Sequence, residues 1–228
     1  MLTLYITNKN YSSWSLRPWL LMRALGVPFQ EKLIPYGETG AFRAASPSGR
    51  MPCLADGDIA VWDSLAIVEY LAEKFPGVWP ADARARAWAR SAAAEMHSGF
   101  TSMRSICAMN CGLRIRMERQ PPALLADIAR LDELWNDGLS RFGGPCLGGK
   151  TFTAVDAFFA PVAFRIQTYG LELSAPALHY ASRLLALPAM QEWHAAALGE
   201  ALRREDYEKQ AMQAGTLLAD LRPAPSRA

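Results

Sequence analysis

Two hydroxyls ahead of a helix, an apolar residue ahead of a proline, and an acidic residue ahead of a serine are the groups whose spacing could do chemistry in this 228-residue chain. Ser12 and Ser13 fall between a first apolar run, Leu2–Ile6, and a first helical pattern. A hydroxyl there, beside unpaired N–H groups and the positive end of a helix, can donate to a sulfur anion. A free thiol titrates near about 8.5, so stabilising its thiolate raises the concentration of nucleophile at neutral pH. Such a serine need not attack anything itself; it can serve a nucleophile that a bound ligand carries. One serine can instead cap the helix, and the two roles can be split between them.

The second group lies in Ser46-Pro47-Ser48-Gly49-Arg50-Met51-Pro52-Cys53-Leu54, followed by Asp63-Ser64-Leu65-Ala66-Ile67. A proline entering a strand cannot donate to the ladder. Met51 is then left with its own N–H and carbonyl free to pair with an extended ligand. Asp63 and Ser64 open a helix whose first N–H groups suit a carboxylate. Asp63 as an N-cap and nothing more is the plain alternative. With Met51-Pro52 upstream, the pattern reads as a pocket that holds a small peptide by its backbone and its charged end.

Those residues resemble the glutathione-binding half of the cytosolic glutathione transferases, and the bacterial, zeta-like members in particular. Ser12-Ser13-Trp14-Ser15-Leu16-Arg17 is similar to the zeta signature Ser-Ser-Cys-Ser-x-Arg, with Trp14 where that signature has cysteine. The resemblance implies a cis bond before Pro52, with Met51 along the cysteinyl part of glutathione, Asp63-Ser64 gripping its γ-glutamyl end, and Arg50 among the glutathione-binding residues. It implies Ser12, or Ser13, as the hydroxyl facing the thiol, and Arg17 as electrostatic support. Tryptophan cannot form a mixed disulfide, which disfavours thiol reduction through position 14. Its indole walls the pocket or packs in the core.

The elements that must position these groups divide in two. Strands are predicted at Leu2–Ile6, 29–34, 53–55 and Ile59–Trp62, with Asp56-Gly57-Asp58 as a hairpin turn. Helices are predicted over 15–25 and Ser64–Lys74. The order β-α-β, a loop with a helix, then β-β-α resembles a thioredoxin-like α/β domain, residues 1–76. Beyond Pro76 the strand signals stop. Periods near 3.6 predict helices over 83–107, Pro122–Phe142, Ala154–Tyr169, 177–187 and 189–204, an all-α domain spanning 83–210. Residues 211–228 read as a frayed tail. Thr153 and Asp156 fit a capping box and are folding determinants.

In the resembled fold the first long helix of the second domain faces the pocket. His97, Thr101, Arg104 and Ala108 fall on one stripe of it, and an arginine and histidine there could bind a carboxylate of a second substrate. A solvated arginine and a packed histidine are the alternative. Asn110, Arg114 and Arg116 would extend a basic rim, and Arg165 with Tyr169 is a weaker pair for the same role.

Net charge is +2, with Lys+Arg and Asp+Glu nearly balanced, which asks for no nucleic acid or anionic membrane as partner. No apolar run approaches the roughly 20 residues that span a bilayer, and the first apolar stretch lacks the basic lead of a signal peptide. A cytoplasmic protein is expected, so Cys53, Cys107, Cys111 and Cys146 read as free thiols. Cys107 and Cys111, i and i+4 on one predicted helix, could hold a metal only with a second close pair; apolar filling is the preferred reading. The resemblance implies a homodimer that uses glutathione as co-substrate and adds its thiol to a small electrophile, anionic if His97 and Arg104 face it. A cis-trans isomerase of the maleylacetoacetate type, and a non-catalytic binding protein of the same fold, are the alternatives.

Overall fold

The chain starts with alternation of period two: Leu2, Leu4 and Ile6 are buried while Thr3 and Tyr5 are half-buried. That run is β1 (Leu2–Ile6), and in the computed structural model, which describes residues 1–224, it is an inner strand. It pairs in parallel with β2 (Phe29–Leu33) and antiparallel with β3 (Cys53–Asp56). The hairpin partner β4 (Ile59–Trp62) completes a sheet in the order β2-β1-β3-β4. Gly57, at φ +63°, supplies the left-handed turn between β3 and β4.

Two helices follow from caps at both ends. α1 (Ser13–Ala24) begins where the Ser12 hydroxyl accepts from the Ser15 N–H, and α3 (Ser64–Lys74) begins where Asp63 accepts from the Leu65 N–H. The short α2 (Thr39–Ala45) lies between β2 and β3. Leu16, Trp19 and Leu20 of α1 join Ile67, Val68 and Leu71 of α3 in the core.

The second half is built around α7 (Ala154–Tyr169), in which every residue but Gln167 is buried. A helix apolar on all sides belongs in the centre. It packs on α1, on α4 (Ala83–Ser98) and on α8 (Ala175–Leu185). Thr153 and Asp156 form the capping box, and Asp156 also accepts from Leu147 N–H at 2.9 Å and from the Tyr180 hydroxyl at 2.8 Å. Around it run α5 (Thr101–Ile106), α6 (Pro122–Phe142) and α9 (Pro188–Leu198). The helices expected over 177–187 and 189–204 start earlier, and the second ends at Leu198 rather than at 204.

Three expectations are corrected. The single helix over 83–107 breaks at Gly99 and Phe100. Phe100 takes φ +54°, a left-handed conformation, and buries its ring in the core. The second domain also carries a two-stranded sheet, β5 (Leu113–Met117) with β6 (Gly215–Asp220). The third concerns the tail: α10 (Glu205–Ala214) runs past 210 and leads directly into β6, so residues 211–220 are paired rather than frayed. Residues 225–228 of that stretch lie outside the described residues. Among the described residues no helix is long and apolar enough to cross a membrane.

Candidate active site

A cavity of about 420 Å³ opens where β3, the loop ahead of it and the start of α3 meet. Its walls are Met51, Pro52, Asp63 and Ser64, with Ser48, Arg50, Trp62 and Trp14 around them. The Met51–Pro52 bond is cis. Pro52 precedes β3, and Cys53 is the first residue with a ladder partner, Tyr5 on one side and Trp62 on the other. Asp63 sits at φ +75°, a conformation non-glycine residues seldom adopt. This residue is the N-cap of α3, and its side chain is 46% exposed. Both readings of Asp63 therefore hold at once: one oxygen caps, and the carboxylate still borders the cavity.

Behind Ser64 lies Arg17, 1% exposed. Its guanidinium reaches Ser64 Oγ at 3.5 Å and stacks on the rings of Trp14, at 4.4 Å, and Phe158, at 4.7 Å. Burial holds its pKa well below the usual arginine range, and the charges of Arg104 and Arg165 act the same way while Asp63 opposes them. The Arg17 Nε has no hydrogen-bond partner among the described residues. Arg17 is thus a buried cation whose compensation is mostly aromatic.

Trp14 connects this cavity to a second one of about 150 Å³, lined by Ser13, Arg104, Arg165, Tyr11, Tyr207 and Gln210, with Ala108 and Met109 at its base. Arg104 stacks on Trp14 at 4.3 Å, donates to the His97 carbonyl at 3.0 Å, and has a buried Nη2 with no partner among the described residues. Burial first, then the charge of Arg165, lowers its pKa to about 10. Arg165 is buried and held by the Cys107 and Pro161 carbonyls.

The two serines separate. The Ser12 hydroxyl, 2% exposed, is spent on Ser15, accepting from its N–H at 3.2 Å and donating to its Oγ at 2.8 Å. Ser13 is partly exposed and borders the second cavity. His97 stands behind Trp14, ring to ring at 5.2 Å, with Nε2 3.5 Å from Asp63 Oδ2. Its pKa is lowered by burial and by Arg17 and Arg104, against the pull of Asp63. Its ring borders neither cavity.

The helix break removes the expected stripe, and Thr101 is left exposed and borders neither cavity. Asn110 is buried and bonded to Glu208 and Gly112. Arg114 donates to the Cys111 and Leu113 carbonyls. Neither forms a rim. Tyr169 gives its hydroxyl to the Ala108 carbonyl. Cys107 ends α5 and Cys111 lies beyond it, so the two do not share a helix. Burial pushes the Cys107 thiol up to about 12 and the Cys111 thiol higher. The pattern of the sequence pointed to neither Trp62 nor Ser48 in the first cavity. Nor did it point to Tyr11, Tyr207 and Gln210 in the second, since these come from a loop and from a helix nearly two hundred residues later.

Comparison with known proteins follows this geometry. Residues 11–74 match the family described as glutathione S-transferase, N-terminal domain, and residues 81–196 match glutathione S-transferase, C-terminal domain. A protein of Dianthus caryophyllus named glutathione S-transferase 1 is 32% identical over 47% of this chain; the chain spans half of that relative's length. A zeta class glutathione S-transferase of Euphorbia esula is 27% identical over 70% of this chain and 73% of its own. The maleylacetoacetate isomerase of Rattus norvegicus is 25% identical over 84% of this chain and 91% of its own. Among solved structures, a Burkholderia glutathione transferase homologue with bound glutathione superposes at TM-score 0.66 with 22% identity, covering 86% of this chain and 97% of its own. A theta class enzyme of Xanthomonas axonopodis gives 0.61 with 24% identity over 84% and 95%.

Proposed function

The chain belongs to the glutathione S-transferase family, and on that premise we propose that it binds glutathione in the first cavity and activates its thiol for attack on a small electrophile. The observation that carries this reading is the cavity itself: cis Met51–Pro52 on one side and Asp63-Ser64 at a helix start on the other. One wall suits the middle of the tripeptide and the other its γ-glutamyl end. The Met51 backbone pairs with the cysteinyl segment. Asp63 takes the γ-glutamyl ammonium, while the Ser64 hydroxyl and the first α3 N–H groups take the neighbouring carboxylate.

The thiol then lies toward Trp14 and the start of α1. Ser13 is the hydroxyl we assign to it, because Ser12 is occupied as the cap of α1. A hydrogen bond from Ser13, the α1 N-terminus and the Arg17 charge all favour the thiolate over the thiol. The proton leaves to solvent. The thiolate pair forms a C–S bond at the electrophilic carbon; the displaced pair leaves with a halide-type group, or moves into a conjugated carbonyl that then takes a proton. The second cavity receives the electrophile, and Arg104 and Arg165 make an anionic one the better fit.

Expulsion of the thiolate from a transient adduct, after rotation about the former double bond, would make the same site an isomerase. The relative named maleylacetoacetate isomerase, matched over 84% of this chain, supports that second reading. The resemblance further implies a cytoplasmic location and a homodimer, the second of which a light-scattering mass at micromolar concentration checks.

Titration calorimetry with glutathione tests the reading directly. Binding is expected, and Asp63→Ala should weaken it by about 1.5–3 kcal/mol, the range for a hydrogen bond to a charged group. Equal affinity in the two proteins would sink it.

A further inference from the structure

We propose that Trp14 is the specificity-determining residue of the second cavity: its indole is the wall between the two cavities and sets the upper size of the electrophile. This rests on the reading of the first cavity as the glutathione site. Trp14 is the residue common to the linings of both cavities. The second cavity, at about 150 Å³, has the volume share of roughly five liquid waters. A guest larger than that needs space beyond the cavity, either past the indole or out toward solvent.

The wall is held rather than merely present. Two guanidinium groups stack on the ring, Arg17 at 4.4 Å and Arg104 at 4.3 Å, and His97 meets it edge-on at 5.2 Å. Arg17 and Arg104 are in turn anchored, the first near Ser64 and the second on the His97 carbonyl. A cation over an aromatic face in a desolvated setting is a strong orienting contact. An indole fixed this way cannot swing aside to admit a larger guest without uncovering the buried Arg17 and giving up its stack with the half-buried Arg104. The rest of the cavity offers little room to yield, since Arg165 is pinned by two carbonyls and Tyr11 by Glu208. A smaller residue at position 14, such as the cysteine of the resembled signature, would join the two spaces.

The test is a ratio: kcat/KM for cinnamaldehyde over kcat/KM for acrolein, two enals sharing one reactive group, measured with glutathione. Trp14→Ala should raise that ratio about tenfold or more, chiefly by lowering KM for the larger enal. Trp14→Phe should leave it close to the unmutated value, because phenyl keeps both the wall and a face for the cations. Trp14→Leu should fall between them. A ratio unchanged in Trp14→Ala, in a protein that still binds glutathione by calorimetry, overturns the proposal. Loss of folding in both Trp14→Ala and Trp14→Leu overturns it too, since the indole is then a support of the fold. Failure of the unmutated protein to bind glutathione would strike the reading of the first cavity instead, so the two failures are told apart.

Discussion

The Arg222 guanidinium donates to both carboxylate oxygens of Glu208, at 2.6 and 2.9 Å, from a side chain only 2% exposed. The same carboxylate accepts from the Tyr11 hydroxyl at 2.6 Å and from Asn110 at 3.1 Å. One acid of α10 therefore ties the segment after β6, the loop ahead of α1 and the turn before β5 into a single knot. Tyr11 and Tyr207 reach the second cavity from that knot, so the end of the described chain is part of the site's frame.

Arg222→Ala should cost about 3 kcal/mol of stability, the low end for breaking a buried pair, because Glu208 keeps some contact with water. Urea unfolding measures it. The cost comes from the carboxylate left behind among Tyr11 and Asn110, so adding Glu208→Gln should recover part of it. A loss under about 0.5 kcal/mol would mean that the Arg222–Glu208 pair contributes nothing to the fold.

Acid should weaken the fold in two stages. His97 and His194 both have pKa values lowered mainly by burial, so the unfolded chain binds protons that the folded one refuses. Their contribution is complete above the free histidine value of about 6.5 and is lost as pH falls below it. Glu208 acts lower. Burial raises its pKa, but Arg222 and Tyr11 outweigh that and hold it below the usual range, so its contribution fades only under about pH 4.3. Thermal midpoints from pH 7.5 to 5.5 should therefore fall for the unmutated chain and fall less for His97→Asn. Parallel curves for the two proteins would remove His97 from this account.

The two serines should part company under mutation. Ser13→Ala is expected to raise the pKa of the bound glutathione thiol, read by its thiolate absorbance, and to lower kcat while sparing glutathione affinity. Ser12→Ala removes a helix cap and should cost about 1 kcal/mol in unfolding with the thiol pKa unmoved. If Ser12→Ala alone shifts the thiol, its hydroxyl leaves Ser15 when glutathione binds. If neither does, backbone N–H groups and Arg17 hold the thiolate.

Local pattern carried much of this molecule, and the exceptions share a cause. β1, β4, α3, α6 and α7 lie where period, turn residues and caps predict them, because each signal is confined to its own segment. Met51-Pro52 and Asp63-Ser64 were legible for the same reason: a proline at a strand entry and an acid-serine pair at a helix start carry their geometry locally. The break at Phe100 was not, since nothing in Ser98-Gly99-Phe100 demands a left-handed phenylalanine until the core takes its ring. β6 was missed because its partner β5 lies about a hundred residues away. Trp14 was legible as a pocket wall, but not the cations stacked on it, Arg17 from its own helix and Arg104 from a distant one. Spacing along a chain does not record which cation meets which ring.

Substrate charge gives the sharpest test of the second cavity. Arg104 brings to it a guanidinium with a buried, unpartnered Nη2 and a pKa lowered to about 10, first by burial and then by Arg165. Two cations at one small cavity repel each other, and a bound carboxylate relieves that repulsion. An electrophile bearing a carboxylate should therefore react faster than its neutral methyl ester. A hydrogen bond to a charged group is worth about 1.5–3 kcal/mol, which is roughly ten- to a hundredfold in kcat/KM. Arg104→Ala should erase most of that preference, read as the ratio of acid to ester rates so that any loosening of the indole cancels. Arg104→Lys should restore only part, because the ammonium lacks the planar fork and stacks less well on Trp14. Equal rates for acid and ester in the unmutated protein would mean that Arg104 serves only to hold the indole.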